Sequence, residues 1–297
     1  MNTHTLDTQR GIHIRVLEGG PSDARPLVSL HGLAGLLDDT RFLDLLAERY
    51  HVFAPELPGF GESRGEESLE DMLDFSLHAW DVIEALGLGG RRPSVVGHSI
   101  GGMIAAEMAC LAPTAVDRLV LVDPFGLWLD DSPIPDIFAL LPYEFGEYLF
   151  HDPQRAAALL SGATDQADPE SLRQFFIDNA RRLGTAGKIL FPIPNRRLSK
   201  RLYRLSTQTL VVWAEHDRLI PEVYASRWQA LLPHSHFLRV AAAGHMLPYE
   251  QPRRLAEAVL AFLATGSVDQ VSVETAATGA PGAERPQLDV RPAGWSH

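Results

Sequence analysis

Apolar and polar positions follow two rhythms that alternate along the chain. Short, nearly continuous apolar runs such as 27–30 and 209–214 are typical of strands buried on both faces of a sheet. Amphipathic segments such as 68–86 repeat their apolar positions at helical spacing. The remaining predicted elements are an opening hairpin at 3–9 and 12–18, strands at 50–54, 92–97, 118–122 and 235–240, and helices at 38–49, 223–232 and 252–263. Strands that alternate with helices predict a parallel sheet covered on both faces, an α/β fold.

The alternation stops after Asp123. Between 127 and 206 no strand-like run is visible, and the helical patches are 137–141, 144–150, 153–160, 169–183 and 197–205. Such a length is improbable for an unstructured loop, so we predict a helical cap at 127–206 inserted between core segments 1–126 and 207–264. The stretch 265–297 is rich in small and polar residues, which predicts a disordered tail.

Aromatic and apolar side chains of the predicted cap have two possible roles. Most are expected to form the cap's own core or its contact with the main domain, and a minority to line a substrate pocket. The pattern does not choose among Trp128, Ile134, Phe138, Tyr143, Phe145, Phe175, Phe176 and Phe191.

Composition excludes several classes of function. The chain has 297 residues, a formal net charge of −12 and a single cysteine. A strongly acidic protein repels phosphate backbones and anionic lipid surfaces, so we expect neither a nucleic-acid nor a membrane partner. One cysteine excludes an internal disulfide framework. No secretory signal and no bilayer-spanning run is visible, which predicts a cytoplasmic protein.

The candidate chemistry centres on Gly97-His98-Ser99-Ile100-Gly101, which follows a β-branched run and precedes a helix-forming one. A serine at the apex of such a tight turn projects its hydroxyl above the sheet edge, which makes Ser99 the candidate nucleophile. The flanking glycines leave room where strand and helix nearly touch. The pentapeptide alone arises by chance in about one chain in ten of this length, so its context has to support it.

The context is that other polar residues also follow predicted strands. His31 and Asp123 come directly after one, Asp217 and His245 follow one within a short loop, and ligands of parallel sheets bind at the carboxyl ends of strands. Asp123 and Asp217 are therefore both candidate acids. Other histidines have plainer interpretations: His98 is expected to pack or form a hydrogen bond, and His31 to brace its loop. His245 is preferred to His216 as the candidate base, because only His245 lies in the Gly-His loop after the last strand. His234 and His236 share a strand face but have no third metal ligand at a typical spacing.

Ser99, Asp217 and His245 in that order, with Pro58-Gly59-Phe60-Gly61 upstream, resemble the α/β-hydrolase superfamily. Within it the chain is similar to cap-bearing serine hydrolases, which include carboxylesterases, lactonases and carbon–carbon bond hydrolases. The resemblance implies a mostly parallel eight-stranded sheet. It also implies Ser99 as nucleophile, His245 as base and Asp217, in preference to Asp123, as the acid. The backbone N–H groups of Leu33 and Ile100 would form the oxyanion hole, with no metal or organic cofactor.

The resemblance leaves the substrate open. We expect a small-molecule carboxylic ester with a small to medium acyl chain, cleaved through an acyl-enzyme. The alternatives are a carbon–carbon bond hydrolase of the meta-cleavage-product type or a lactonase, and, more remotely, a non-enzymatic ligand receptor. The carbon–carbon hydrolases of the family commonly carry Asn before the nucleophile and Trp after the catalytic histidine. This chain has His98 and Met246 there, which favours the ester.

Overall fold

A single mixed sheet forms the centre of the molecule. The computed structural model describes residues 1–140, 144–160, 167–191 and 198–268, without the side chains of residues 157 and 158. Within them the sheet has eight strands: β1 (Asn2–Asp7), β2 (His13–Gly19), β3 (Pro26–Leu30), β4 (His51–Pro55), β5 (Ser94–His98), β6 (Arg118–Val122), β7 (Gln208–Ala214) and β8 (His236–Val240). Their order is β1-β2-β4-β3-β5-β6-β7-β8. Strand β2 alone runs opposite to the other seven strands, so the predicted α/β sheet is confirmed.

Helices of the main domain cover both faces of the sheet. They are α1 (Arg41–Ala47), α2 (Met72–Ala85), α3 (Ile100–Leu111), α7 (Val223–Leu231), α8 (Leu247–Glu250) and α9 (Pro252–Thr265). Along the central strands, Val95 and Leu121 are buried with α2, α3 and α7 on one side. Val96 and Val122 are buried with α1 and α9 on the other. Both faces of these central strands exclude water, which is why their sequences are largely apolar.

The described chain between β6 and β7 contains helices, turns and irregular stretches but no strand. It contains α4 (Phe145–Leu149), α5 (Pro153–Leu160) and α6 (Pro169–Leu190), followed by two short 3₁₀ helices, Leu198–Lys200 and Leu202–Arg204. We call the segment 127–206 the cap, and its boundaries stay a prediction. Buried cap residues such as Ile189 and Leu202 belong to the same apolar cluster as the sheet. The described part of the cap is therefore packed on the core.

Three details of the cap differ from the sequence expectations. Residues 137–140 form a turn rather than a helix, because the Asp136 carboxylate accepts the N–H of Phe138 at 3.0 Å; Leu141 lies outside the described residues. Helix α6 continues past 183 to Leu190, since tertiary burial of Thr185 and its neighbours offsets the glycines in its last turns. The helix expected at 197–205 is two 3₁₀ turns, and residue 197 lies outside the described part.

The chain's last described residues end a helix. Helix α9 runs two residues beyond the predicted end, to Thr265, and Gly266 terminates it with φ of 80°. Val268 still packs against the core. Residues 269–297 lie outside the described part, so the disordered tail stays a prediction. Among the described residues, no helix has the length and apolar character needed to cross a membrane.

We expect acid to destabilise the fold partly through His78. This buried histidine of α2 has no hydrogen-bond partner for Nδ1 among the described residues. Burial, assisted by the charge of Arg10, lowers its pKa to about 4. As pH falls below ~6.5, the unfolded chain takes up the proton before the folded chain does, so stability is lost between pH ~6.5 and ~4.

The measurement is the free energy of unfolding of wild type and His78→Gln from denaturant titrations across this range. The wild type should lose up to about 1.4 kcal/mol per pH unit more than the variant. The comparison is needed because other buried histidines contribute to the wild-type slope. Parallel slopes for the two proteins would show that His78 titrates normally.

Candidate active site

Ser99 occupies the turn between β5 and α3 in a strained backbone conformation. Its φ is 58° and its ψ is −120°, a region that a non-glycine residue rarely adopts. Strand and helix approach so closely that a Cβ on Gly97 would lie 2.4 Å from the carbonyl oxygen of Gly101. Glycine at 97 is thus required by the turn. The expected strand, turn and helix are all present.

The structure brings Ser99, His245 and Asp217 into one chain of hydrogen bonds. Ser99 Oγ lies 2.8 Å from His245 Nε2, and His245 Nδ1 lies 2.8 Å from Asp217 Oδ2. All three residues are buried. A carboxylate accepts but cannot donate, so it assigns the imidazole proton to Nδ1 and leaves Nε2 free to accept the serine proton.

Asp217 is held by the backbone that follows it. Its other oxygen, Oδ1, accepts the N–H groups of Leu219 and Ile220, each at 2.8 Å. These bonds orient the carboxylate and leave Oδ2 directed at the histidine. The sequence could place Asp217 after β7, but not this turn, which depends on the backbone path.

Asp123, the other candidate acid, is hydrogen-bonded elsewhere. It follows β6 with φ of 42°, and its Oδ1 accepts the N–H of Ala214 at 2.8 Å. Among the described residues its Oδ2 has no hydrogen-bond partner. Burial, and then the negative charge of Asp217, raise the pKa of Asp123 well above its ordinary value. The geometry therefore favours Asp217 as the partner of His245.

The loop after β3 lies against the serine turn. A Cβ on Gly32 would lie 2.9 Å from Ser99 Cβ, and a Cβ on Gly101 would lie 2.4 Å from the carbonyl oxygen of His31. Leu33 is the next residue of this loop, and Ile100 is the first residue of α3. N–H groups in the first turn of a helix lack intrahelical acceptors. Both expected oxyanion-hole residues thus flank Ser99, and their N–H roles stay a prediction.

His31 joins two loops as a neutral imidazole. Its Nδ1 lies 2.8 Å from the carbonyl oxygen of Gly32, and its Nε2 accepts the N–H of Leu57 at 2.9 Å. Nδ1 must therefore carry the proton. Burial is the main cause that lowers its pKa. The bracing role expected for His31 agrees with these contacts.

His98 connects the serine turn to the histidine loop. Its Nε2 donates to the carbonyl oxygen of His245 at 2.6 Å. Burial, and then the neighbouring His245, lower the pKa of His98 to about 3, so the ring is a neutral donor. The sequence predicted a packing or hydrogen-bonding residue here, but the partner is far away in the chain and could not be named from it.

Glu250 is a site residue that the sequence analysis missed. Its Oε2 accepts the N–H of Gly244 at 2.7 Å, and its Oε1 accepts those of His151 and Asp152 at 2.9 and 3.3 Å. One buried carboxylate thereby joins the loop of His245 to the segment between α4 and α5. No motif signals this role, because the three N–H donors come from two distant parts of the chain.

An apolar pocket lies beside the histidine. The Phe125 ring contacts the His245 ring edge to face at 6.0 Å, and the N–H of Phe125 bonds to the carbonyl oxygen of Ser99 at 3.2 Å. The pocket is lined by Met103, Phe125, Gly126, Leu127, Trp128, Ile134, Pro135, Ile137, Phe138 and Leu190. Its interior of about 30 Å³ has room for about two water molecules.

This pocket divides the aromatic and apolar residues of the cap that the sequence singled out. Trp128, Ile134 and Phe138 line it. Phe176 instead has 60% of its surface exposed. Tyr143 lies outside the described residues.

The other histidines lie apart from this chain of hydrogen bonds. Strand β8 begins at His236, so His234 precedes the strand on which both were expected. Within the described part of the chain, no group of three or more His, Cys, Asp or Glu side chains could hold a metal ion. The His216 ring stacks on that of His151, with ring centres 4.4 Å apart.

A strained serine between strand and helix is hydrogen-bonded to a histidine, which is in turn hydrogen-bonded to an aspartate. At the edge of a mostly parallel sheet, this arrangement defines a hydrolase-like site. The family model for the alpha/beta hydrolase fold matches residues 25–252. The chain belongs to the α/β-hydrolase family.

Similar proteins include a dienoic acid hydrolase and a lipase. The chain is 25% identical over 267 residues to 2-hydroxy-6-oxo-6-(2'-aminophenyl)hexa-2,4-dienoic acid hydrolase of Metapseudomonas resinovorans, covering 85% of this chain and 88% of that one. It is 27% identical over 249 residues to Lipase 3 of Moraxella sp. (strain TA144), covering 80% and 76%. The crystal structure of a membrane phospholipase A shares the fold, with a TM-score of 0.73, 24% identity and coverage of 89% and 86%. The chain is a hydrolase.

Proposed function

We propose that the protein is a serine hydrolase that cleaves carboxylic esters through an acyl-enzyme. The observation that carries the proposal is the hydrogen-bonded series Ser99, His245 and Asp217 beside an apolar pocket. Ser99 Oγ attacks the acyl carbon while His245 Nε2 takes its proton and returns it to the leaving alcohol. Water, activated by the same histidine, then releases the acid. Asp217 keeps the imidazole in the required tautomer and stabilises its charged form.

The negative oxygen of the tetrahedral intermediate needs donors that are already in place. We assign this role to the N–H groups of Leu33 and Ile100, because the Gly32 backbone packs on Ser99 and Ile100 begins α3. The partial positive charge at a helix N-terminus adds to the effect. The scheme needs no metal or organic cofactor.

The acyl chain is assigned to the apolar pocket beside Phe125. Each buried CH₂ group contributes about 0.8 kcal/mol, until the chain exceeds the pocket. Since the pocket is small, small to medium acyl groups are favoured. A small-molecule ester is the partner that this proposal requires.

Carbon–carbon bond hydrolysis is the second candidate. The relative from Metapseudomonas resinovorans is named as the hydrolase of a hexa-2,4-dienoic acid. The same three residues could serve either reaction. The side chain that follows His245 favours the ester. Met246 is buried and offers no hydrogen-bond donor to a polar substrate.

The experiment compares p-nitrophenyl esters of increasing acyl length with a vinylogous 1,5-diketone. We expect kcat/KM to rise roughly fourfold per added CH₂ and then to fall once the pocket is full. Leu190→Phe, which narrows the pocket, should move the optimum to shorter chains. Phe176→Leu, on the exposed face of the same helix, should not. Specificity constants orders of magnitude higher for the diketone would establish the second candidate instead.

A further inference from the structure

Arg182 on helix α6 is a partly buried cation that has no anionic partner among the described residues. Its guanidinium donates to the carbonyl oxygen of Ala34 at 3.1 Å and to the side-chain oxygen of Asn179. Its Nε is buried and has no hydrogen-bond partner among the described residues. Both of its acceptors are neutral. Burial lowers the pKa of Arg182, and within the described part of the chain no acidic neighbour opposes that effect.

Two other arginines of the cap form the ion pair with a carboxylate that Arg182 lacks among the described residues. Arg181, the preceding residue, forms an ion pair with Glu66, and Arg201 forms one with the buried Glu107. Within the described part of the chain, Arg182 has no carboxylate oxygen within 4 Å. A buried charge without a counterion is costly, which is the situation that an anionic ligand would relieve.

The position of Arg182 connects this charge to the proposed active site. Ala34, its acceptor, follows Leu33 in the loop that packs on Ser99. The positive charge of Arg182 also acts on His31. Burial is the main cause that lowers the pKa of His31, and the charge of Arg182 lowers it to a lesser extent. Leu190, which lines the apolar pocket, is eight residues further along the same helix, about 12 Å away at 1.5 Å per residue. Helix α6 therefore extends from the apolar pocket to an unpaired cation.

We propose that Arg182 binds a carboxylate on the alcohol half of the ester substrate. The inference rests on the proposed function, in which the acyl half fills the apolar pocket. We place the alcohol half beside the loop of Leu33 and Ala34, where Arg182 donates to the carbonyl oxygen of Ala34. A guanidinium presents paired N–H donors that match a carboxylate, and its free Nε supplies one of them. The substrate class is thus a monoanionic ester, apolar at its acyl end and charged at its alcohol end.

The test uses two esters that differ by one charge, 4-(butanoyloxy)benzoate and its neutral methyl ester. Arg182→Gln should lower kcat/KM for the anionic ester about 10- to 100-fold, the loss expected for a hydrogen bond to a charged group. The neutral ester should change less than about threefold, and Arg182→Lys should recover part of the loss. Arg181→Gln is the matched control, and it should leave the ratio of the two constants unchanged.

An equal fall on both esters in Arg182→Gln would mean that the residue only supports the loop at Ala34, and would overturn the proposal. So would no change on either ester. If the wild type hydrolyses neither compound, the ester hydrolase proposal fails, and calorimetry still decides the carboxylate site. Ser99→Ala should bind 4-(butanoyloxy)benzoate at least tenfold more tightly than Ser99→Ala/Arg182→Gln. Equal affinities would overturn the site whatever the turnover.

Discussion

Ser99→Ala is expected to lower kcat/KM for p-nitrophenyl butanoate by about 10³-fold or more. The substitution removes only the hydroxyl that lies 2.8 Å from His245 Nε2, and with it the acyl-enzyme step. Losses of this size are typical when a member of a catalytic triad is removed. The measurement is p-nitrophenolate release under steady-state conditions.

The fold of this variant should be unchanged. Alanine keeps the Cβ and retains the strained φ of 58°, so the turn between β5 and α3 is not altered. Thermal unfolding and circular dichroism matching the wild type provide the control. Activity close to wild type in a folded Ser99→Ala variant would contradict the assignment of the nucleophile.

Asp217→Asn is expected to lower kcat by about 10³- to 10⁴-fold. An amide at this position can donate to His245 Nδ1, which would leave the proton on Nε2 and prevent it from accepting the serine proton. The bonds from Leu219 and Ile220 can persist to the amide oxygen, so the geometry should survive. The measurement is kcat against pH, alongside unfolding.

Asp123→Asn is the matched control for that variant. The pKa of Asp123 is raised well above its ordinary value by burial and by Asp217, so the side chain is held towards its neutral form. Asparagine is a close neutral substitute that keeps the oxygen needed by the N–H of Ala214. We expect activity within a few-fold of wild type. A severe loss in Asp123→Asn with an active Asp217→Asn would reverse the assignment of the acid.

Most of the sheet could be predicted because its physical cause is local. Strands β5, β6 and β7 are buried on both faces, and their apolar runs are visible in the sequence within one or two residues. The cap was harder. Its turns depend on local side-chain bonds such as that of Asp136, and the length of α6 depends on burial against the core.

The residues of the candidate site also differ in whether the sequence could predict them. Ser99, Asp217 and His245 could be named because each follows a strand, and parallel strands place such residues at one edge. Glu250 and Arg182 could not, since their roles arise from contacts between distant segments. Position after a strand left both Asp123 and Asp217 as candidate acids. The family resemblance favoured Asp217, and its hydrogen bond to His245 supports that choice.

In the proposed mechanism, Ser99 carries the acyl group during turnover. The most direct measurement is mass spectrometry of the enzyme acid-quenched during hydrolysis of p-nitrophenyl butanoate, followed by peptide mapping. We expect a fraction of the protein to gain the mass of one butanoyl group, located on Ser99 and absent from Ser99→Ala, with many product molecules formed per enzyme. Sustained turnover in Ser99→Ala, or an acyl group mapped to another residue, would contradict an acyl-enzyme at Ser99.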